Sequence, residues 1–155
     1  MRKLLVTTLV FGLAIAARPA PARADFGLGL FLGDPTGIDF KIGLSNRSGL
    51  DLLIGFDRLG DGRIGYGHLT YLVTPVVGHG DSVLVPLRIG IGGAIYGPSN
   101  DVGFAIRAPV ELALRLRRSP LEFYGELALA FVLVDRYRDD LYVDLQGGVG
   151  FRVFF

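Results

Sequence analysis

Leu141-Tyr142-Val143-Asp144-Leu145-Gln146-Gly147-Gly148-Val149-Gly150-Phe151-Arg152-Val153-Phe154-Phe155 is the stretch whose reading decides the fold. Its odd positions are apolar except for Gly147, and its even positions include Asp144, Gln146, Gly148, Gly150 and Arg152. A period of two places successive side chains on opposite faces of a strand. The segment is therefore a strand with one apolar face and one polar or bare face.

Seven earlier segments repeat the pattern, at residues 26–32, 38–44, 50–56, about 63–73, 83–96, 102–115 and 121–133. Leu28 and Leu30 oppose Gly27 and Gly29; Ile38, Phe40 and Ile42 oppose Asp39 and Lys41; Leu52 and Ile54 oppose Asp51 and Leu53. The fourth segment is the least regular, with Leu69 and Tyr71 on the apolar face and His68 and Thr70 on the other. In the fifth, Ile89 and Ile91 oppose Arg88, Gly90 and Gly92; in the sixth, Val110 and Leu112 oppose Arg107, Glu111 and Arg115. The seventh sets Phe123, Leu127 and Leu129 against Glu122, Tyr124 and Glu126. Turn-forming residues separate the segments, at 33–37, 45–49, 57–62, 97–100, 117–120 and 135–140, and residues 74–82, with Pro75, Gly78 and Gly80, read as the longest linker. Pro86 and Pro109 lack an N–H donor, so a bulge or a local break is expected at each. Eight strands of this length describe an all-β, eight-stranded antiparallel up-and-down barrel of the transmembrane type.

Arg2 and Lys3 precede an apolar run at 4–17, and Ala22-Arg23-Ala24 follows, which together read as a secretory signal peptide over residues 1–24. The expected domain is then 25–155, with Asp25 as its N-terminus. Four of the sixteen basic residues fall in the signal while all fifteen acidic residues lie beyond it, so the mature chain is formally acidic and a nucleic-acid partner is not expected. There is no Cys, which excludes disulfides and a lipoprotein anchor. Half of all residues are hydrophobic, yet past the signal no run is long enough for a membrane-crossing helix. The apolar surface must be carried by strands.

Charge decides which face is inside. Asp39, Lys41, Asp51, Arg88, Arg107, Glu111, Arg115, Glu122, Glu126, Asp144 and Arg152 share the polar face with many of the 23 glycines. An eight-stranded barrel is only wide enough to be filled by side chains, so glycines would make room for long charged ones. The near balance of signs predicts a lumenal ion-pair network, with Arg dominating because its planar fork suits such packing. The opposite, aliphatic face is expected to meet lipid.

The C-terminal strand, with Val149, Phe151, Val153 and Phe155 stepping by twos to the last residue, resembles the outer-membrane insertion signal of bacterial β-barrels. That resemblance implies the barrel-assembly machinery as a partner. Leu32-Gly33-Asp34-Pro35-Thr36-Gly37, Arg107-Ala108-Pro109-Val110-Glu111 and Gly147-Gly148-Val149-Gly150-Phe151-Arg152 together resemble a family of small bacterial outer-membrane barrel proteins, over nearly the whole mature chain. The architecture is similar to the transmembrane domain of outer-membrane protein A, whose interior also holds ion pairs. No peptidoglycan-binding domain follows Phe155, so that tethering role is not implied. The chain has no Trp; Phe26, Phe123 and Phe155 at one rim, and Phe56, Tyr66, Tyr96, Tyr137 and Tyr142 toward the other, are the expected aromatic girdles.

Catalysis would need an activated nucleophile or a positioned base. His79, between Gly78 and Gly80, reads as an exposed turn residue, and His68 as an inward hydrogen-bonding residue. Glu122 and Glu126 share a face and read as partners of Arg107, Arg115 or Arg152 before an acid–base pair. Asp135, Asp139 and Asp140 read as a solvated loop run before a cation site, and Gly90-Ile91-Gly92-Gly93 lacks the helix a phosphate loop requires. No catalytic residue, metal site or cofactor is assigned. The expectation is a plugged barrel in the outer membrane of a Gram-negative bacterium, in contact with its lipid, with a structural or interaction role and short outer loops open to a surface ligand. A lipid-modifying enzyme of the lipid A deacylase or acyltransferase type is the second reading, a soluble periplasmic lipid-binding calyx the third, and a small channel ranks below both.

Overall fold

The structure, a computed structural model, describes residues 26–57, 64–97, 102–134 and 141–155. Residues 1–24, expected to form a signal peptide, Tyr137, the loop at 135–140 with its three aspartates, and most of the loops at 57–62 and 97–100 lie outside the described residues. Eight strands follow one another: β1 (Phe26–Asp34), β2 (Thr36–Ser45), β3 (Ser48–Asp57), β4 (Ile64–His79), β5 (Val83–Tyr96), β6 (Gly103–Leu116), β7 (Leu121–Val134) and β8 (Tyr142–Phe154). Each is antiparallel to its neighbours in sequence, and β8 pairs with β1 to close the barrel. Closure leaves no strand edge with unpaired backbone groups.

Closing a sheet forces its strands to stagger. Followed from Leu28 through Phe40, Leu52, Leu69, Gly93, Ile106, Phe131 and Val143, the ladder returns to the β1 register about ten positions further along. That stagger brings residues far apart in sequence to the same height inside the barrel.

The eight strands stand where the alternation places them, with two differences at their ends. Residues 74–79, expected in a linker, continue β4 to His79, and only Gly80, Asp81 and Ser82 separate it from β5. The β4–β5 register shifts between Val73 and Val76, so Pro75 falls inside an irregularity that absorbs its missing N–H and the strand resumes with Val76 opposite Leu87. The turn expected at 33–37 shrinks to Pro35, with the Thr36 hydroxyl donating to the Gly33 carbonyl at 2.8 Å. Pro86 and Pro109 each interrupt one ladder without changing its register. The β5–β6 pairs pause between Leu84↔Arg115 and Leu87↔Leu112, and again between Ile89↔Val110 and Gly92↔Arg107.

Large apolar side chains point outward on every strand, among them Leu30, Ile38, Ile54, Leu69, Ile91, Leu112, Leu127 and Leu145. Inside, glycines serve as sockets for aromatic rings more than for charged side chains. A Cβ on Gly150 would lie 2.5 Å from the Tyr124 ring, one on Gly103 2.5 Å from the Tyr96 ring, and one on Gly148 2.9 Å from Phe31. The narrow lumen accepts a ring only where the facing strand carries no side chain. Gly97 closes β5 with a φ of 125°, a conformation that strains any other residue.

Candidate functional site

Strand alternation delivers charged groups from seven of the eight strands into one buried interior. Asp39 and Lys41 come from β2, Asp51 from β3, His68 from β4, Arg88 from β5, Arg107 and Glu111 from β6, Glu122 and Glu126 from β7, and Arg152 from β8; all are buried. Arg152 is the hub. Its Nε donates to Asp39 Oδ2 at 2.5 Å, Nη2 to Asp51 Oδ1 at 2.7 Å, and Nη1 to Glu111 Oε2 at 2.8 Å and Glu122 Oε1 at 3.2 Å. The Tyr124 ring lies 3.6 Å beneath its guanidinium, and the Tyr124 hydroxyl donates to Asp39 Oδ2. Four carboxylates on four strands thus converge on one cation.

Arg88 and Lys41 close the network on the side of the β2–β3 turn. Arg88 grips Glu122 through Nη1 at 2.8 Å and Nη2 at 2.7 Å, a fork that fixes both side chains, and donates to Glu111 Oε1. Lys41 Nζ donates to the same Glu111 oxygen at 3.1 Å. On the other side Arg107 Nη2 donates to Glu126 Oε1 at 2.6 Å, and its Nη1 lies 3.0 and 2.9 Å from the two ring nitrogens of His68. His68 Nε2 also meets Asp51 Oδ2 at 3.4 Å, which links the two clusters. With its proton on Nε2, facing Asp51, the ring leaves Nδ1 to accept from Arg107. Beyond them the Tyr66 hydroxyl donates to Gln146 Oε1 at 3.0 Å.

An isolated charge in such an interior is costly, and pairing with full hydrogen bonding is what makes it tolerable. Four cations face five carboxylates here, and only Asp39 Oδ1 and Arg107 Nε are buried polar atoms without a partner among the described residues. The arrangement locks its charges in place: Glu122 and Glu126 each bond arginine, and His68 has both ring nitrogens engaged. Among the described residues no group of three or more His, Cys, Asp or Glu is placed to hold a metal.

Two members of the expected network stand apart. Arg115 is half-buried, with its guanidinium 4.1 Å above the Phe154 ring, and Asp144 is half-buried with no ion pair among the described residues. Both lie toward the strand ends, where the stagger carries them away from the central cluster. Tyr66 and Tyr96, expected in an outer girdle, point into the lumen and are buried. Their positions share parity with His68 and with Ala94, a signal in the sequence that outweighs the usual taste of tyrosine for a rim. Tyr124, Thr70 and Gln146 join the interior by the same parity. Val149, Phe151 and Phe155 are exposed on the outer face and Val153 is half-buried there; Phe26 and Phe155 approach with ring centroids 6.5 Å apart. His79 is exposed at the end of β4, and Gly90 and Gly92 lie within β5, closely packed against Thr70.

Fold and interior define a class: a closed, eight-stranded antiparallel barrel with a charged, ion-paired core and an apolar exterior. Comparison with protein-family models, with curated proteins and with solved structures gives no match.

Proposed function

We propose that this chain is a small outer-membrane β-barrel protein of a Gram-negative bacterium, exported by a signal peptide at 1–24, with a plugged lumen and a structural or interaction role in the envelope. The observation that supports the reading is its inverted solvation. Ile91, Leu127 and Leu145 are 62, 63 and 66% exposed while Arg107 and Arg152 are 0% exposed. Apolar surface on every strand is far more than a water-exposed monomer carries, and hydrocarbon is the solvent in which it is stable. A closed barrel also satisfies the demand that no backbone group be left unpaired in lipid.

The same inversion weighs against a lipid-binding calyx, which needs its aliphatic face inside. A lipid-modifying enzyme gains no support from His68, whose ring is buried between Arg107 and Asp51. Val149, Phe151, Val153 and Phe155 on the outer face of the closing strand fit recognition by the barrel-assembly machinery. Refolding residues 25–155 in detergent micelles and in plain buffer, followed by gel electrophoresis with and without boiling, tests the proposal. Strand-type circular dichroism and a heat-dependent mobility shift in detergent alone are expected; a monodisperse fold in plain buffer would overturn it. Sequencing the N-terminus of protein recovered from membranes should begin at Asp25.

A further inference from the structure

We propose that the turn end of the barrel, where β2 and β3 meet beside β6, is a binding site for an anionic phosphate group. A cavity of about 140 Å³ opens there, large enough for several waters or one phosphate-sized anion. Three cations, Lys41, Arg88 and Arg115, line it together with the hydroxyl-bearing Ser45, Ser48 and Thr74. None of the described lining residues is a carboxylate. Of the buried network, only Lys41 and Arg88 line this opening, and none of its carboxylates does.

The cations are set for an incoming ligand. Lys41 Nζ has one hydrogen-bond partner, Glu111, and so keeps two of its three N–H donors. Arg88 commits Nη1 and Nη2 to Glu111 and Glu122, and its Nε makes no hydrogen bond among the described residues. Arg115 has no carboxylate partner among the described residues, and the Phe154 ring beneath it holds the guanidinium in place at 4.1 Å. An arginine that is preorganised but unpaired, next to two buried cations with donors to spare, suits a group bearing at least one full negative charge and several acceptor oxygens. Arg47, Arg117 and Arg118 in the adjoining turns raise the potential further, opposed at this end by Asp81. The site is a property of the barrel and stands whether or not lipid surrounds it. The phosphate belongs either to a free anion or to a lipid headgroup, which share this chemistry.

The test uses the full chain, expressed and purified in an uncharged detergent, or in buffer should it prove soluble, and titrated with inorganic phosphate while phosphorus NMR line broadening is followed. Short-chain phosphatidylglycerol and phosphatidylcholine form a second arm, and sulfate at equal ionic strength is the control. Saturable broadening is expected, weakened roughly tenfold in Arg115→Gln, as loss of one charge-assisted bond implies, and weakened less in Arg118→Gln, since Arg118 adds to the potential without lining the cavity. Arg115 makes no ion pair and is half-buried, so the variant should keep its fold; Thr74→Val, which removes a lining hydroxyl, provides a second weakened variant. Saturation by phosphate identifies a free anion, and saturation by phosphatidylglycerol alone identifies a headgroup. No saturable binding in either arm, displacement of bound phosphate by an equal concentration of sulfate as complete as simple competition between equal ligands allows, or an Arg115→Gln titration identical to wild type would overturn the site.

Discussion

Arg152 and Val153 are adjacent in β8 and are solvated in opposite ways. Arg152 is buried among four carboxylates, while Val153 shares the outer face with Val149 and Phe155. Glu111 beside Leu112 and Glu126 beside Leu127 repeat the contrast. One layer of backbone separates a charged interior from an apolar exterior, and the two tolerate error differently. The interior depends on particular partners at particular distances, because removing one leaves another charge buried and uncompensated. The exterior requires only that its side chains be apolar, and its energetics depend on the solvent it meets.

The largest expected effect is at the hub. Arg152→Ala would leave Asp39 without a cation and Asp51 with only His68, and would take one cation each from Glu111 and Glu122, so it should cost at least the roughly 3 to 5 kcal/mol of a broken buried pair, or prevent refolding altogether. Arg107→Ala, which deprives Glu126 of its arginine and His68 of its donor, should fall within that range and below Arg152→Ala. Urea unfolding in micelles measures both. Equal and small losses would mean that the interior is solvated by water and would remove the contrast.

Outside, Leu129→Arg should destabilise the barrel by about 2 to 4 kcal/mol in a bilayer, as a charge near the middle of a lipid-facing strand does. The same variant measured at no cost in phospholipid vesicles would show that this face does not meet hydrocarbon. Smaller effects separate two glycines. A Cβ on Gly150 intrudes on the Tyr124 ring that holds Asp39, so Gly150→Ala should cost about 1 to 3 kcal/mol through overpacking. Gly93 faces outward with nothing within 4 Å of a Cβ, and Gly93→Ala should shift stability by no more than about 0.5 kcal/mol. Thermal mobility-shift midpoints compare the two, and a larger loss at Gly93 would reverse the assignment of faces there.

Much of this fold was legible because period two is a strong signal when both faces are extreme. Even the irregular fourth strand placed His68 and Thr70 inward and Leu69 and Tyr71 outward, as the structure has them. Thr74 to His79 departs from its sequence signal for a local reason: Pro75, Gly78 and Gly80 resemble a linker, but a register shift lets β4 pass Pro75 and keep pairing with β5. Residue type suggests a rim for Tyr66 and Tyr96, but their parity points inward, and inward is where they lie. Glycine on the polar face reads as space for charges, but at Gly103, Gly148 and Gly150 the space takes an aromatic ring, since which residue lies across the sheet is a matter of register.

By itself the sequence determined which side chains face in and which face out, because alternation is a property of the extended backbone. Only the closed barrel decided who meets whom. Asp39 and Arg152 are separated by 113 residues and bond at 2.5 Å because β8 returns to β1 with a definite stagger. That stagger is set by all eight registers at once, and no single strand carries it. The same closure centred Arg152 among four acids and left Arg115 at the rim without one.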